Sequence, residues 1–135
     1  MSHDVVNPDG LLPPVGFAHA VVAALGRTVF LGGQTGHHAD GSLDDGLLAQ
    51  FAQACTNLAT VLQAAGARVE HLTSVQVFVT DATAYREASS ALGRAWQTHF
   101  GRHYPAMAMF EVAGLYDPRA VVELVATAVI PTSDR

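Results

Sequence analysis

The sequence predicts an α+β fold in the order β-β-α-β-α-β-β, with one mixed sheet and two helices packed on one of its faces. Three observations point there. The chain has 135 residues, about one domain's worth. Two segments repeat apolar residues with a helical period, and strand-like runs lie before, between and after them. Half of the residues are hydrophobic and only 14% are charged, which is more apolar surface than so small an interior takes up. The uncovered face of the sheet is therefore expected to meet another copy of the chain.

Each element has its own signal. Residues 1–15 carry Pro8, Asp9-Gly10 and Pro13-Pro14 and read as an irregular arm of a single domain spanning 1–135. The runs Ala20 to Leu25 and Thr28 to Gly32 flank Gly26-Arg27 and suggest a hairpin. Gly32-Gly33-Gln34-Thr35-Gly36 leads into a polar loop, His37 to Ser42. A helix follows, with Leu47, Leu48, Phe51, Ala54, Cys55, Leu58, Val61, Leu62 and Ala65 on its apolar face. Asp44 and Asp45 suit its positive N-terminal end and Gly66 its stop. Thr73 to Val79 alternates as a strand does. Thr80 or Asp81 caps a second helix, whose stripe is Tyr85, Ala88, Leu92, Ala95, Trp96 and His99, and Gly101 ends it. Ala106 to Val112 and Ala120 to Ile130 are the last strands, joined through a turn at Leu115 to Pro118.

Composition excludes several functions. All seven basic residues are arginines and the chain has no lysine, so it offers neither a Schiff-base lysine nor a phosphate-loop lysine. The formal charge is −5 and the arginines are scattered, so nucleic acid is not expected as a partner. No apolar run approaches the roughly 20 residues of a membrane span, and Met1 to Asp4 does not open a secretory signal. A cytoplasmic location is expected, with no membrane partner. Cys55, the one cysteine, reads as a buried structural thiol. There is no Gly-x-Ser-x-Gly elbow for a serine hydrolase.

Six segments in order resemble a known family. They are Gly16-Phe17-Ala18-His19-Ala20, Val29 to Gln34, Gln53 to Gly66, Val77 to Asp81, Tyr104-Pro105-Ala106, and Val122-Glu123 through Val129. Together they are similar to the RidA/YjgF (Rid) superfamily over roughly residues 7 to 131. The resemblance implies a chorismate-mutase-like fold, a homotrimer and a ligand pocket at each subunit interface. It also implies an activity: hydrolysis of reactive enamines and imines to a 2-oxo acid and ammonia, without metal or organic cofactor.

Departures from the family pattern fall in that pocket. Deaminating members carry an arginine directly after the Pro-Ala pair, where it grips the substrate carboxylate; Met107 stands there in this chain. A second glutamate of the last strand is replaced by Val125, leaving Glu123. The arm has Phe17 and Ala18 where a tyrosine and a hydroxyl residue are usual. Loss of a buried bidentate arginine costs roughly 2–5 kcal/mol, about 30- to several-thousand-fold in affinity. Arg102 and Arg119 are the two turn residues that could replace it.

The residues left suit a neutral or partly apolar small molecule. Phe17, Met107, Met109 and Val125 are expected to line the pocket, with Gly33, Gln34, Thr35 and Ala108 as binding residues through side chains or backbone N–H groups. His19 and Glu123 are the catalytic candidates, His19 because imidazole exchanges protons near neutral pH. Each also has a structural reading, His19 as a strand-end packing residue and Glu123 as a hydrogen-bond acceptor. Three functions stay open: a divergent enzyme hydrolysing, isomerising or cyclising a reactive metabolite; a non-catalytic metabolite-binding trimer; and an imine deaminase with a relocated anchor. No metal is expected. His37-His38 reads as an exposed loop pair pointing to opposite sides, and His99 and His103 lack a third ligand.

Overall fold

A computed structural model describes residues 2–132. Met1 and residues 133–135, counted in the expected domain, lie outside the described residues. The elements are β1 (Asp4–Val6), β2 (Ala20–Val22), β3 (Gly26–Thr35), α1 (Leu47–Ala64), a 3-10 turn (Val69–His71), β4 (Leu72–Val79), α2 (Ala82–Glu87), α3 (Ser89–Phe100), β5 (Ala106–Glu111) and β6 (Val122–Pro131). β3, β6, β4 and β5 form a mixed sheet in that spatial order, antiparallel except for the parallel β4/β5 pair. The fold class is the α+β one expected.

Leu48, counted on the apolar face, is exposed at 45%, while α1 buries Phe51, Ala54, Cys55, Leu58 and Leu62 of the stripe that its sequence period defines. These residues pack on Leu31, Val75, Val77, Val79, Val122, Leu124 and Ala126 of the sheet, and Leu92, Trp96 and Phe100 of α3 complete the core. Gly66 takes φ 82° beyond the helix end. There the amides of Gly66 and Ala67 reach back to the carbonyls of Gln63 and Leu62, an arrangement that closes the last turn and favours glycine. Gln50, buried at 3% exposure, donates to the carbonyls of Asp44 and Arg119 and accepts from the amide of Val121. It ties α1 to the start of β6 with its polar atoms satisfied.

Four local expectations are corrected. The hairpin about Gly26 does not form: β2 pairs with β1 of the arm, and β3 begins at Gly26 paired to Pro131 of β6. A Cβ at Gly26 would lie 2.0 Å from the Ile130 carbonyl oxygen, so this glycine permits close strand approach rather than a turn. The arm is accordingly not wholly irregular. Asp44 and Asp45 precede the first turn of α1, which holds no acidic residue; Asp44 binds His38 instead. The second helix is interrupted at Ala88 (φ −93°, ψ 7°) to give α2 and α3, with Asp81 capping α2 by accepting from the Ala84 amide.

One sheet face has no helix over it. Phe30 is 83% exposed there, and Phe78 and Phe110 stack with ring centroids 5.6 Å apart. β6 shows the consequence as strict alternation, buried from Val122 through Ile130 on one side and half-buried from Glu123 through Val129 on the other. No helix of the described residues is long and apolar enough to cross a membrane.

Candidate functional site

Strand register brings much of the candidate set together on the uncovered face. Gln76 of β4 lies between Val125 of β6 and Ala108 of β5. Phe78 lies between Glu123 and Phe110 in the next such row. The β3/β6 ladder shifts register between Leu31 and Gln34, so Gly32-Gly33 form a bulge beside Val125. A Cβ at Gly33 would sit 1.7 Å from Glu123 Oε2. Glycine is thus what lets the Glu123 carboxylate lie flat against β3.

The arm supplies the second wall. The Ala18 amide donates to the Pro105 carbonyl at 3.0 Å, and Ala18 bridges Ala106 in parallel fashion. This contact extends the sheet past β5 and sets Phe17 and His19 along the same edge. Phe17, His19, Ser74, Gln76, Ala106 and Ala108 surround an open cavity of about 310 Å³. His19 packs edge-on to Phe17, with ring centroids 5.2 Å apart. Its Nε2–H donates to the Leu12 carbonyl at 2.7 Å, and its backbone amide donates to Asn7 Oδ1. That bond assigns the proton to Nε2 and leaves Nδ1 as the basic nitrogen.

The other expected lining residues join this set only in part: Thr35 pairs with Glu123 across the β3/β6 ladder. Met107 and Met109 lie opposite the core residues Val75 and Val77 and pack toward the helices. Adjacent strand residues face opposite ways, so they do not share the face of Val125; only Met107 also reaches the arm cavity. Gln34 and Thr35 border a different cavity, at the β3 edge against α1. The Gln34 side chain donates to the Gly32 carbonyl, and so buttresses the bulge.

Thr35 opens a chain of polar contacts that reaches across the fold. Its hydroxyl contacts His37 Nδ1, and His37 Nε2 lies 2.9 Å from Asp117 Oδ2. Asp117 also holds Arg119 through Nε and Nη2, at 3.1 and 2.7 Å. The Arg119 and His37 hydrogen bonds keep the Asp117 carboxyl well below the usual carboxylate range. Asn57 of α1 completes the arrangement by donating to the carbonyls of Thr35 and His37. His37-His38 is therefore not a free loop pair. The two rings point to different carboxylates, Asp117 and Asp44, and both are half-buried.

Other candidates resolve the same way. Arg119 is taken up by Asp117 and the Gly41 carbonyl, and Arg102 is exposed after α3 without lining any of these cavities. His99 meets Thr56 of α1 while His103 donates to the Leu72 carbonyl, so the two diverge. Burial pushes the Cys55 thiol up to about 12, which leaves no thiolate nucleophile near neutral pH. Sequence reasoning missed Ser74 and Gln76, whose only signal was alternation with Val75 and Val77. It also missed Asn57, a polar residue beside an apolar helical stripe.

The sequence profile of the endoribonuclease L-PSP family matches residues 10–130. No curated protein matches the sequence. Among solved structures, a conserved Rid family protein from Yersinia pestis, YyfB, is similar at 31% identity and a TM-score of 0.84, over 96% of this chain and 100% of that one. RidA from the Antarctic bacterium Psychrobacter sp. is similar at 26% identity and 0.68, over 94% and 99%. A member of the YjgF/YER057c/UK114 family from Mycobacterium tuberculosis is similar at 27% identity and 0.64, over 96% and 100%.

Proposed function

Because the chain belongs to the Rid (endoribonuclease L-PSP) family and has its chorismate-mutase-like fold, we propose that it acts on a small, neutral or partly apolar reactive metabolite. The pocket is the uncovered sheet face, completed by a neighbouring subunit of a homotrimer. The reaction is a hydrolysis, isomerisation or cyclisation and needs no cofactor. One observation carries this reading: Glu123 is the only formally charged group in the rows around Gln76 and Phe78, and its neighbours there are Val125, Ala108, Phe78 and Phe110. An acid would find no cation among them, whereas a neutral molecule meets apolar walls and one acceptor.

Roles follow from chemistry. Glu123 accepts a proton or orients water, since its carboxylate is fixed against Gly33. His19 offers Nδ1 as a second base at the arm. Phe17, Val125 and Ala108 exclude water around the ligand. A binding protein without turnover is the second reading, favoured by the engagement of His19 with Leu12, which a mobile proton carrier would have to break. RNA cleavage, which the family description suggests, finds little support in a chain of net charge −5 without lysine.

The test offers the protein a freshly generated 2-imino acid and, separately, a panel of neutral enamines and reactive carbonyl compounds. Expected are no ammonia release above buffer from the acid and a rise in Tm with neutral compounds. For any compound turned over, Glu123→Gln should lower kcat by about 100-fold or more and His19→Ala by less. Rapid ammonia release from the imino acid would contradict the reading, and binding with no turnover would favour the second one.

A further inference from the structure

We propose that Thr35, His37 and Asp117 form a hydroxyl–imidazole–carboxylate relay that makes Thr35 a nucleophile toward small, neutral acyl donors, a second activity at a cavity of its own. The relay is contiguous. The Thr35 hydroxyl contacts His37 Nδ1, and His37 Nε2 lies 2.9 Å from Asp117 Oδ2. Its proton positions follow from the far end. Asp117 accepts from the Arg119 side chain at both oxygens and from the Arg119 amide, which keeps its carboxyl ionised. An ionised carboxylate only accepts, so in the neutral ring His37 Nε2 carries the proton. Nδ1 is then the lone-pair nitrogen, and the Thr35 O–H donates to it. A hydroxyl held by a base that a third group orients is the arrangement of activated nucleophiles, whatever their order along the chain.

Local structure holds the pair in place. Thr35 and His37 are two residues apart in extended chain, which sets their side chains on one side. Gly36 between them packs on α1, where a Cβ would lie 2.6 Å from the Gln50 carbonyl oxygen, and Asn57 donates to the carbonyls of both Thr35 and His37. Beside them opens a cavity of about 310 Å³, which Gln34, Ala39, Asn57, Thr60 and Val61 also line. Among the described residues it shares no lining residue with the arm cavity. No Asp, Glu or Arg lines it, so it suits an uncharged substrate, and its volume, at the lower end of small-molecule sites, suits a small one. Gln34 spends one N–H of its amide on the Gly32 carbonyl, and the other is the donor for a developing oxyanion. In the step, Thr35 Oγ1 bonds to the ester carbonyl carbon while its proton passes to His37 Nδ1. The ester C–O bond breaks and that proton leaves with the alcohol. Water then releases the acid by the same route and restores the Thr35 hydroxyl.

The full-length protein is treated with diisopropyl fluorophosphate, whose fluoride a reactive hydroxyl displaces, and the label is located by peptide mass mapping. A label on Thr35 is expected, with a parallel fall in hydrolysis of 4-nitrophenyl acetate. Thr35→Val, close in shape but without the hydroxyl, should take no label and retain only the hydrolysis that survives labelling of the wild type. Thr35→Ser should keep both label and turnover. His37→Gln should slow labelling of the intact Thr35 by about 100-fold or more, a rate that a merely structural contact would not set. Labelling of the wild type requires no variant to fold. Thr35 left unlabelled, or Thr35→Val hydrolysing the ester like the wild type, would each overturn the proposal.

Discussion

At the scale of single residues, Gly33 and Asp117 bear most on the candidate site. Gly33 is required by what lies over it, since the Glu123 carboxylate occupies the space of a Cβ. Gly33→Ala should push that carboxylate away and destabilise the chain by about 1–3 kcal/mol, the usual cost of overpacking. A denaturant melt measures the second effect, and loss of activity larger than that seen for Gly32→Ala, where a Cβ meets open space, measures the first. Asp117 makes a pH-dependent contribution. Its carboxyl lies below its ordinary value when folded, chiefly because of Arg119 and then His37. Such a group stabilises the fold above its unfolded pKa of about 3.9, and that contribution is lost as pH falls toward the lower folded value. Asp117→Asn should therefore lower Tm at neutral pH, and the gap to wild type should close as pH drops below about 4. A gap that stayed constant with pH would assign the effect to packing instead.

At the scale of elements, what was legible in the sequence was local. The stripe of α1, the stops at Gly66 and Gly101 and the cap at Asp81 each depend on neighbours within one or two turns, and each is found in the structure. The supposed hairpin failed because Gly26 answers to Ile130 and Pro131, more than a hundred residues away. The same distance hid the role of His37, whose partner Asp117 is 80 positions along the chain. Within the site, the alternation of a strand places Glu123 and Val125 on one face of β6. It could not show that Gln34 and Thr35 border a cavity of their own although Thr35 pairs with Glu123, or that Met107 and Met109 share a face with Val75 and Val77. Gly26→Ala tests the non-local constraint. Its Cβ would fall within 3 Å of three backbone atoms of Ile130 and Pro131, which cannot swing away as side chains do. A loss of about 2 kcal/mol or more is expected in chemical unfolding, and a loss under 0.5 kcal/mol would show that the β3/β6 start is loosely paired.

At the scale of the whole molecule, the fold leaves one sheet face with Phe30 and Phe110 exposed and Phe78 half-buried against Phe110. Burying a phenylalanine contributes roughly 1.5–3 kcal/mol, so covering these three is a strong drive toward association. In the proposed homotrimer a neighbouring subunit would cover this face and turn the exposed row that holds Glu123 into a pocket that excludes water. The proposed chemistry therefore depends on assembly, and dilution below the dissociation constant of the assembly should abolish turnover and assembly together. Sedimentation equilibrium of the wild type and of Phe30→Asp tests this dependence most directly. The wild type is expected at three times the 14.2 kDa chain mass, with Phe30→Asp shifted toward the single chain. A wild type that sediments as one chain at every concentration would mean that the apolar face stays open and no neighbour completes the site.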